Sequence, residues 1–265
     1  MKIARAALHF WEEPPISGQN GSGTVFFSGC NLGCVYCQNR QISRSNVGKT
    51  VSPMELAEIF ADLARQGAHN INLVTPTHYA PAIMEAVDCY RKSGGDLPIV
   101  YNTGGYERVE VLRALKGTVD IYLTDLKYAE SASAGRYSAA PDYPRVARAA
   151  LAEMVQAVGA PVFENGLLRQ GVIVRLLVLP SLEHEAMINL RYLWETYGDR
   201  IIVSLMNQYT PVGEDLPEEL RDPLPAAAYR TVVDYARSLG FENAYIQEGE
   251  TAKESFIPPF CQEET

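Results

Sequence analysis

Three cysteines near the amino end of the sequence have the residue type and the spacing best suited to chemistry. Cys30, Cys34 and Cys37 form a C-x3-C-x2-C run, so three thiolates within eight residues can converge on one soft metal centre. The run is one ligand short of the four that a closed zinc or iron–sulfur site requires. A [4Fe–4S] cluster bound here would keep one iron open to a small molecule. The alternative is a zinc knuckle with a distant fourth ligand, in a non-catalytic zinc-binding module.

Composition and charge narrow the class of protein. The 265 residues can bury a sizeable core, and the formal net charge of −9 argues against binding nucleic acid through its phosphates. No apolar run is long enough to span a membrane and the first residues lack a signal-peptide core, so we expect no membrane association. Five cysteines, three of them clustered, indicate a metal site in a reducing, cytoplasmic compartment. We expect Cys89 to be a small buried hydrophobe and Cys261 an exposed thiol.

Strand and helix patterns alternate along most of the chain. β-Rich apolar runs predict six strands, at 24–27, 71–74, 99–101, 120–123, 172–179 and 201–206. Amphipathic runs between them predict helices, one of which starts at the capping box of Ser52 and Glu55. The segment from Ala129 to Tyr143 is rich in alanine and serine, and it predicts a long loop. Such alternation is typical of parallel strands joined by right-handed crossovers.

The sequence therefore predicts an α/β fold, a partial (β/α)6 barrel with an open parallel sheet and the helices outside. We expect an N-terminal lead-in at 1–24, the barrel at 25–245 and a C-terminal tail at 246–265. Ligands of such folds bind at the carboxyl ends of the strands. The cysteine run directly follows the first predicted strand, so we expect it at that end of the sheet, surrounded by the polar residues that follow the other strands.

Three charged residues are expected at the same end. Asp125 and Lys127 follow the fourth predicted strand, and Arg175 interrupts the apolar fifth strand. A lone buried arginine costs several kcal/mol unless an anion pairs with it. One interpretation is a structural salt bridge with a carboxylate such as Asp125. The other is that Lys127 and Arg175 hold an anionic group of a ligand.

The cysteine run, with Tyr36 inside its last pair, resembles that of the radical S-adenosylmethionine (SAM) superfamily. The Gly-Cys-Asn entry at Cys30 and the Cys-Gln-Asn exit at Cys37 add to the resemblance. It implies a [4Fe–4S] cluster whose open iron is chelated by the amino and carboxylate groups of SAM. Reductive cleavage of SAM then gives a 5′-deoxyadenosyl radical, which abstracts a hydrogen atom from a substrate. In that family the aromatic that matches Tyr36 lies near the adenine.

The Asp-Leu-Lys run at Asp125 and the arginine at Arg175 are similar to those of glycyl-radical-enzyme activases. This resemblance implies that Lys127 and Arg175 contact the SAM carboxylate. It also implies a monovalent cation held by Asn102, Thr103 and Asp125, although Asn102 stands where those enzymes have an aspartate. The superfamily's usual Gly-Gly-Glu run is replaced, and the remaining SAM contacts are expected from residues after the second and sixth strands, namely Thr75, Thr77, Met206 and Asn207.

Longer segments resemble pyruvate-formate-lyase-activating-like proteins of the PflX type. Matching segments start at Ala7, Asn70, Tyr101 and Ala140. The name of this subgroup does not imply its substrate, and a glycyl radical enzyme is one candidate. A small molecule or a peptide side chain is the other candidate. As partner we also expect a reductant such as flavodoxin or ferredoxin. Four residues are expected in loops around the mouth of the site: His78, Tyr79, Asp142 and Tyr143.

Overall fold

Strands and helices alternate along the computed structural model, which describes residues 1–212, 215–241 and 244–247. The strands are β1 (Lys2–His9), β2 (Ser22–Phe27), β3 (Lys49–Thr50), β4 (Ile71–Val74), β5 (Ile99–Thr103), β6 (Ile121–Asp125), β7 (Val162–Glu164), β8 (Leu167–Leu177), β9 (Ile202–Met206) and β10 (Ala244–Ile246). The helices are α1 (Pro14–Ser17), α2 (Arg40–Ser43), α3 (Pro53–Arg65), α4 (Ala80–Lys92), α5 (Val109–Ala114), α6 (Ser131–Ser138), α7 (Tyr143–Val158), α8 (Glu183–Tyr197) and α9 (Ala226–Leu239).

One sheet organises the fold, in the order β10-β9-β8-β6-β5-β4-β2-β1-β3. Every neighbouring pair from β2 to β10 is parallel, whereas β1 runs antiparallel to both β2 and β3. The short strand β7 forms an antiparallel hairpin with β8. The predicted α/β class with an open parallel sheet is confirmed. Of the helices in the described ranges, none has the length and apolar character needed to cross a membrane.

The two faces of the sheet differ in what covers them. Side chains alternate between faces along a strand. On β6, Tyr122 packs among residues of the outer helices, whereas Ile121 and Leu123 face away from those helices and pack with residues such as Ile16 of α1. Asp125 continues the row of Ile121 and Leu123. The inner face is therefore apolar at one end of the strands and charged at their carboxyl ends.

Two parts of the structure differ from the sequence-based expectation. The lead-in contains β1, which pairs with β2 along most of its length, and the expected boundary at 24 falls inside β2. The expected loop from Ala129 to Tyr143 contains helix α6. Both elements are short of large apolar residues, so periodicity gave no signal for either. Cys261 and the predicted tail beyond Gln247 lie outside the described residues.

A glycine turn after β5 brings that loop against the end of β6. Gly105 has φ +81°, and an added Cβ would overlap the carbonyl oxygen of Asp125 and lie 3.1 Å from the hydroxyl of Tyr143. Gly117 has nearly the same φ, +82°, with no atom within 4 Å of an added Cβ. The two positions therefore separate backbone strain from steric overlap.

We predict that Gly105→Ala lowers the free energy of unfolding by about 3 kcal/mol or more, because strain and overlap add. Gly117→Ala should cost only about 1 kcal/mol, since it suffers the backbone strain alone. Urea unfolding of both variants measures the difference. Equal losses would show that the loop after β5 does not press against Asp125.

Candidate functional site

The three clustered cysteines lie in the loop that follows β2. All three thiols are free; Cys34 is buried, and Cys30 and Cys37 are half-buried. The loop turns back toward α2, where the amide of Arg40 donates to the carbonyl of Cys37 at 3.2 Å. The thiols thus sit at the carboxyl end of the parallel sheet, as the sequence predicts.

Helix α6 holds this cysteine loop in place. The amide of Gly33 donates to the carbonyl of Ser138 at 3.0 Å, and the amide of Val35 donates to the carbonyl of Tyr137 at 2.9 Å. An added Cβ at Gly33 would lie 3.4 Å from the Cβ of Ala139, so the two backbones are in close contact. The segment expected to be a loop therefore contains a helix that anchors the cysteine loop.

The cysteine thiols suit a metal cluster. Burial raises the pKa of Cys30 to about 11 and also raises the pKa of Cys34 above its usual value. Three thiolates in this setting need a cationic centre to compensate their charge, and binding such a centre releases the thiol protons. Three sulfur ligands on one short loop match the chemistry of an iron–sulfur cluster.

A network of charges lies on the inner face, at the ends of β6 and β8. Strand register places Asp125 opposite Arg175, whose Nε donates to Asp125 Oδ1 at 3.0 Å. Its Nη2 donates to Asn102 Oδ1 at 2.6 Å and its Nη1 to Glu12 Oε2 at 3.3 Å. Lys127 Nζ bonds the other oxygen of Asp125 at 2.5 Å. The salt bridge of Arg175 with Asp125, one of the two interpretations of the sequence, is present.

The ionisation of this network follows from its pairing. Burial alone would raise the pKa of Asp125, but Lys127 and Arg175 outweigh it and hold that pKa below its usual value. Burial alone would lower the pKa values of Lys127 and Arg175, but Asp125 raises both above their usual values. All three groups are therefore charged at neutral pH.

The network keeps donors for a further partner. A guanidinium has five N–H groups, and the three bonds of Arg175 to described residues use three of them. The ammonium of Lys127 has three N–H groups, and its salt bridge to Asp125 uses one. The ligand role that the resemblance implies for Arg175 and Lys127 is thus compatible with their salt bridges.

A cavity of about 240 Å³ lies between the charges and two of the three thiols; Cys30 does not line it. Cys34, Cys37 and Tyr36 form one wall, and Lys127 and Arg175 form another. The other lining residues are His9, Trp11, Glu12, Phe26, Gln38, Asn39, Val74, Asn102, Asp125, Leu177, Met206 and Gln208. Two cations and two carboxylates balance each other here, which suits a zwitterionic ligand such as the amino-acid part of SAM.

Most of the other residues predicted to contact SAM or a cation do not line this cavity. Thr77 and Thr103 both donate to the buried carboxylate of Glu107, each at 2.5 Å, and neither lines the cavity. Thr75 adopts φ +59° and its amide donates to the carbonyl of Asn102 at 2.9 Å. Met206 lines the cavity whereas Asn207 does not.

The four residues expected around the mouth pack against neighbouring loops. The ring of His78 lies 3.5 Å from an added Cβ at Gly29, and Tyr79 donates to the carbonyl of Ser28 at 3.3 Å. Asp142 accepts from the hydroxyl of Tyr106 at 2.6 Å. Tyr143 is buried, and its hydroxyl accepts from the amide of Lys127 at 3.0 Å. Tyr143 thus positions Lys127.

The lead-in contributes to the site, which the sequence did not indicate. Glu12 accepts from Asn72 at 2.9 Å and from Asn102 at 3.2 Å, besides its bond to Arg175. The neighbouring Glu13 is buried, and burial raises the pKa of its carboxyl although Arg175 opposes this. Gln38 was missed too, and its side-chain amide donates to the backbone carbonyl of Gln208 at 3.1 Å. The one available signal was the charge of Arg175, which required an anion.

We predict that Arg175→Met lowers the free energy of unfolding by about 3–5 kcal/mol, because it leaves Glu12 and Asp125 buried with one cation fewer. The control is Arg169→Met on the same strand, whose salt bridge to Glu164 is largely exposed and should contribute less than about 1 kcal/mol. Adding Glu12→Gln to Arg175→Met should recover part of the loss. An Arg175→Met protein as stable as the parent in urea would refute the structural role.

Comparison with known proteins gives matches in sequence and in structure. A family model of the radical SAM superfamily matches residues 24–188. An uncharacterised protein of Methanocaldococcus jannaschii is 35% identical over 145 residues, which cover 51% of this chain and 41% of the relative. The chain therefore spans about two fifths of the length of that curated relative.

Two solved structures share the fold. SuiB of Streptococcus suis, bound to S-adenosylmethionine, is similar with a TM-score of 0.57 and 11% identity, over 86% of this chain and 51% of that chain. The FeFe-hydrogenase maturase HydG of Carboxydothermus hydrogenoformans is similar with a TM-score of 0.58 and 14% identity, over 88% of this chain and 55% of that chain. Likeness at such identities shows the fold alone. Because the family model spans more than half of its length, the chain belongs to the radical SAM superfamily, which implies an enzyme with a [4Fe–4S] cluster and SAM as cofactors.

Proposed function

We propose that the protein cleaves SAM reductively to a 5′-deoxyadenosyl radical, which abstracts a hydrogen atom from a substrate. One observation carries the proposal: a single cavity is lined both by free thiols of the cysteine run and by the paired charges of Asp125, Lys127 and Arg175. The thiols lie in the loop after β2, whereas the charges lie at the ends of β6 and β8. The parallel sheet brings both groups together at the carboxyl ends of its strands.

The residues of the chain bind and orient the cofactors. Cys30, Cys34 and Cys37 would ligate the cluster, and Lys127 and Arg175 would hold the SAM carboxylate with their remaining donors. When bound, the cluster supplies the electron and SAM supplies the radical, so the protein needs no catalytic acid or base for this step. Tyr36 and Met206 line the cavity where the adenosine would lie.

We propose that the guanidinium of Arg175 takes the role of the monovalent cation that the resemblance implies. Asn102 Oδ1 and Asp125 Oδ1 both accept from its guanidinium, and the hydroxyl of Thr103 donates to Glu107. Glu12 supplies a carboxylate beside Asn102, where the activases have an aspartate in the strand itself. A guanidinium bound to these oxygens balances the charge that the cation would balance.

For the substrate we propose a polypeptide, such as a glycyl radical enzyme, and we propose that the protein is of the PflX type, related to glycyl-radical-enzyme activases. Trp11 lines the cavity and is 64% exposed, and its neighbour Phe10 is 50% exposed. A large exposed apolar side chain at a polar cavity, as at Trp11, favours contact with a partner chain over contact with water. In a glycyl radical enzyme, a backbone glycine would lose the hydrogen atom. A peptide side chain is the other candidate site within a polypeptide, and a small molecule is the alternative that the experiment below distinguishes.

An acidic one-electron donor protein, such as flavodoxin or ferredoxin, is the proposed reductant. Between Pro14 and Met54 the chain has three basic residues and no acidic one, although the whole protein is acidic. These residues, Arg40, Arg44 and Lys49, are exposed next to the cysteine loop. An acidic partner would be attracted to this face, close to the cluster.

The test uses the anaerobically reconstituted protein, dithionite and SAM. We expect formation of 5′-deoxyadenosine, because cleavage of SAM requires only the cluster, an electron and a bound SAM. A deuterated cell extract, separated by size, is then added. Deuterium in 5′-deoxyadenosine from the macromolecular fraction alone supports a polypeptide substrate, and label from the small-molecule fraction supports a small molecule.

Cysteine variants provide the controls for this test. Cys30→Ala, Cys34→Ala and Cys37→Ala should each abolish iron binding and SAM cleavage, whereas Cys89→Ala, a half-buried thiol on α4, should retain both. Iron and sulfide content are measured beside the product. Stoichiometric zinc without iron uptake in the parent protein would contradict the enzymatic function and support the zinc-binding module.

A further inference from the structure

Three buried hydroxyl groups form a chain that ends on a sulfur of the cysteine run. The phenol oxygens of Tyr36 and Tyr128 lie 2.8 Å apart, and that of Tyr128 lies 2.7 Å from Ser138 Oγ. Ser138 Oγ donates to Cys34 Sγ at 2.9 Å. All four side chains are buried. The members come from three separate segments: the cysteine loop, the loop after β6 and the last residue of α6.

The chemistry of a metal-bound cysteine fixes the direction of every bond in this chain. A ligating cysteine is a thiolate, which has no proton and can only accept. Ser138 must therefore give its single proton to Cys34, and it accepts from Tyr128. Tyr128 then has no proton for Tyr36, so Tyr36 donates to Tyr128. All three hydroxyl protons point along the chain toward the sulfur.

We propose that this hydroxyl relay raises the reduction potential of the cluster. The inference rests on the proposed function, because it requires a [4Fe–4S] cluster on Cys34. Reduction adds one negative charge to the cluster and its sulfurs, and a hydrogen bond to a sulfur stabilises the more negative state. The two tyrosines polarise the hydroxyl of Ser138 and strengthen its bond to the sulfur. Ser138, Tyr128 and Tyr36 are thus positioning residues that act through Cys34.

The backbone contacts of α6 make the relay separable from loop anchoring. The carbonyls of Ser138 and Tyr137 hold the cysteine loop through the amides of Gly33 and Val35, and a side-chain substitution keeps both bonds. If the relay only satisfied buried hydroxyls, its loss would lower stability and leave the potential unchanged. The reduction potential therefore distinguishes the proposed role from a structural one.

The test is a potentiometric titration of the reconstituted protein without SAM. Electron paramagnetic resonance measures the amount of reduced cluster at each potential. Ser138→Ala should lower the equilibrium constant for one-electron reduction roughly threefold to tenfold, or about 30–60 mV in midpoint potential. Tyr128→Phe should shift the potential in the same direction but less, and Tyr36→Phe least, because they lie farther along the relay. Ser138→Thr retains the hydroxyl, so its midpoint potential should equal that of the parent protein.

Tyr122→Phe is the matched control. Tyr122 is fully buried like Tyr128, but its hydroxyl has no hydrogen-bond partner within the described part of the chain. The midpoint potential of the cluster in Tyr122→Phe should equal that of the parent protein. Unchanged potentials in Ser138→Ala and Tyr128→Phe at full cluster content would overturn the relay. If Ser138→Ala does not bind a cluster, Tyr128→Phe decides alone. A parent protein that assembles no cluster would instead overturn the proposed function.

Discussion

A guanidinium on the inner face of a parallel sheet is the constraint on which the site depends. Arg175 is 15% exposed, so water cannot compensate its charge and the protein must supply anions. Register between β6 and β8 supplies Asp125, and the lead-in supplies Glu12. Lys127, which pairs with Asp125, adds a second cation, so that two cations balance the two carboxylates. The strands that carry these charges must keep their register with the neighbouring strands, because a shift by one residue would turn a charged side chain to the other face of the sheet.

The same rows of side chains connect the fold to the site. On the inner face, the row of side chains on β5 includes Val100 and then Asn102, and the row on β8 includes Ile173 and then Arg175. Each row therefore changes from apolar to polar toward the carboxyl end of its strand. The apolar end packs against α1, which in turn fixes the position of Glu12 just before it. The charged side chains are thereby held in a largely desolvated environment, where electrostatic attraction between them is stronger than in water.

Much of this arrangement was predictable from the sequence. The six predicted strands are present, because parallel strands buried on both faces give continuous apolar runs. The cysteine run and Arg175 were identifiable from residue type and spacing alone. Strand β1 was not, since Lys2, Arg5 and several alanines give it no alternating apolar pattern.

The remaining contacts depend on tertiary placement. Glu12 reaches Arg175 across 163 residues, and Ser138 reaches Cys34 across 104 residues. Sequence patterns describe local structure, and such distant pairs have no local pattern. The threonines after β4 illustrate the opposite error: a polar residue after a strand was expected in the cavity, but Thr77 is instead bound to the buried carboxylate of Glu107. A buried acid recruits nearby donors wherever they lie.

The central claim is that a cluster held by three cysteines has one iron open to the cavity that contains Lys127 and Arg175. Electron–nuclear double resonance of the reduced protein tests it directly, with SAM labelled isotopically in its amino and carboxylate groups. The account predicts magnetic coupling of both labelled groups to the cluster, since both would ligate the open iron. A reduced cluster that binds SAM without any coupling to these groups would contradict it.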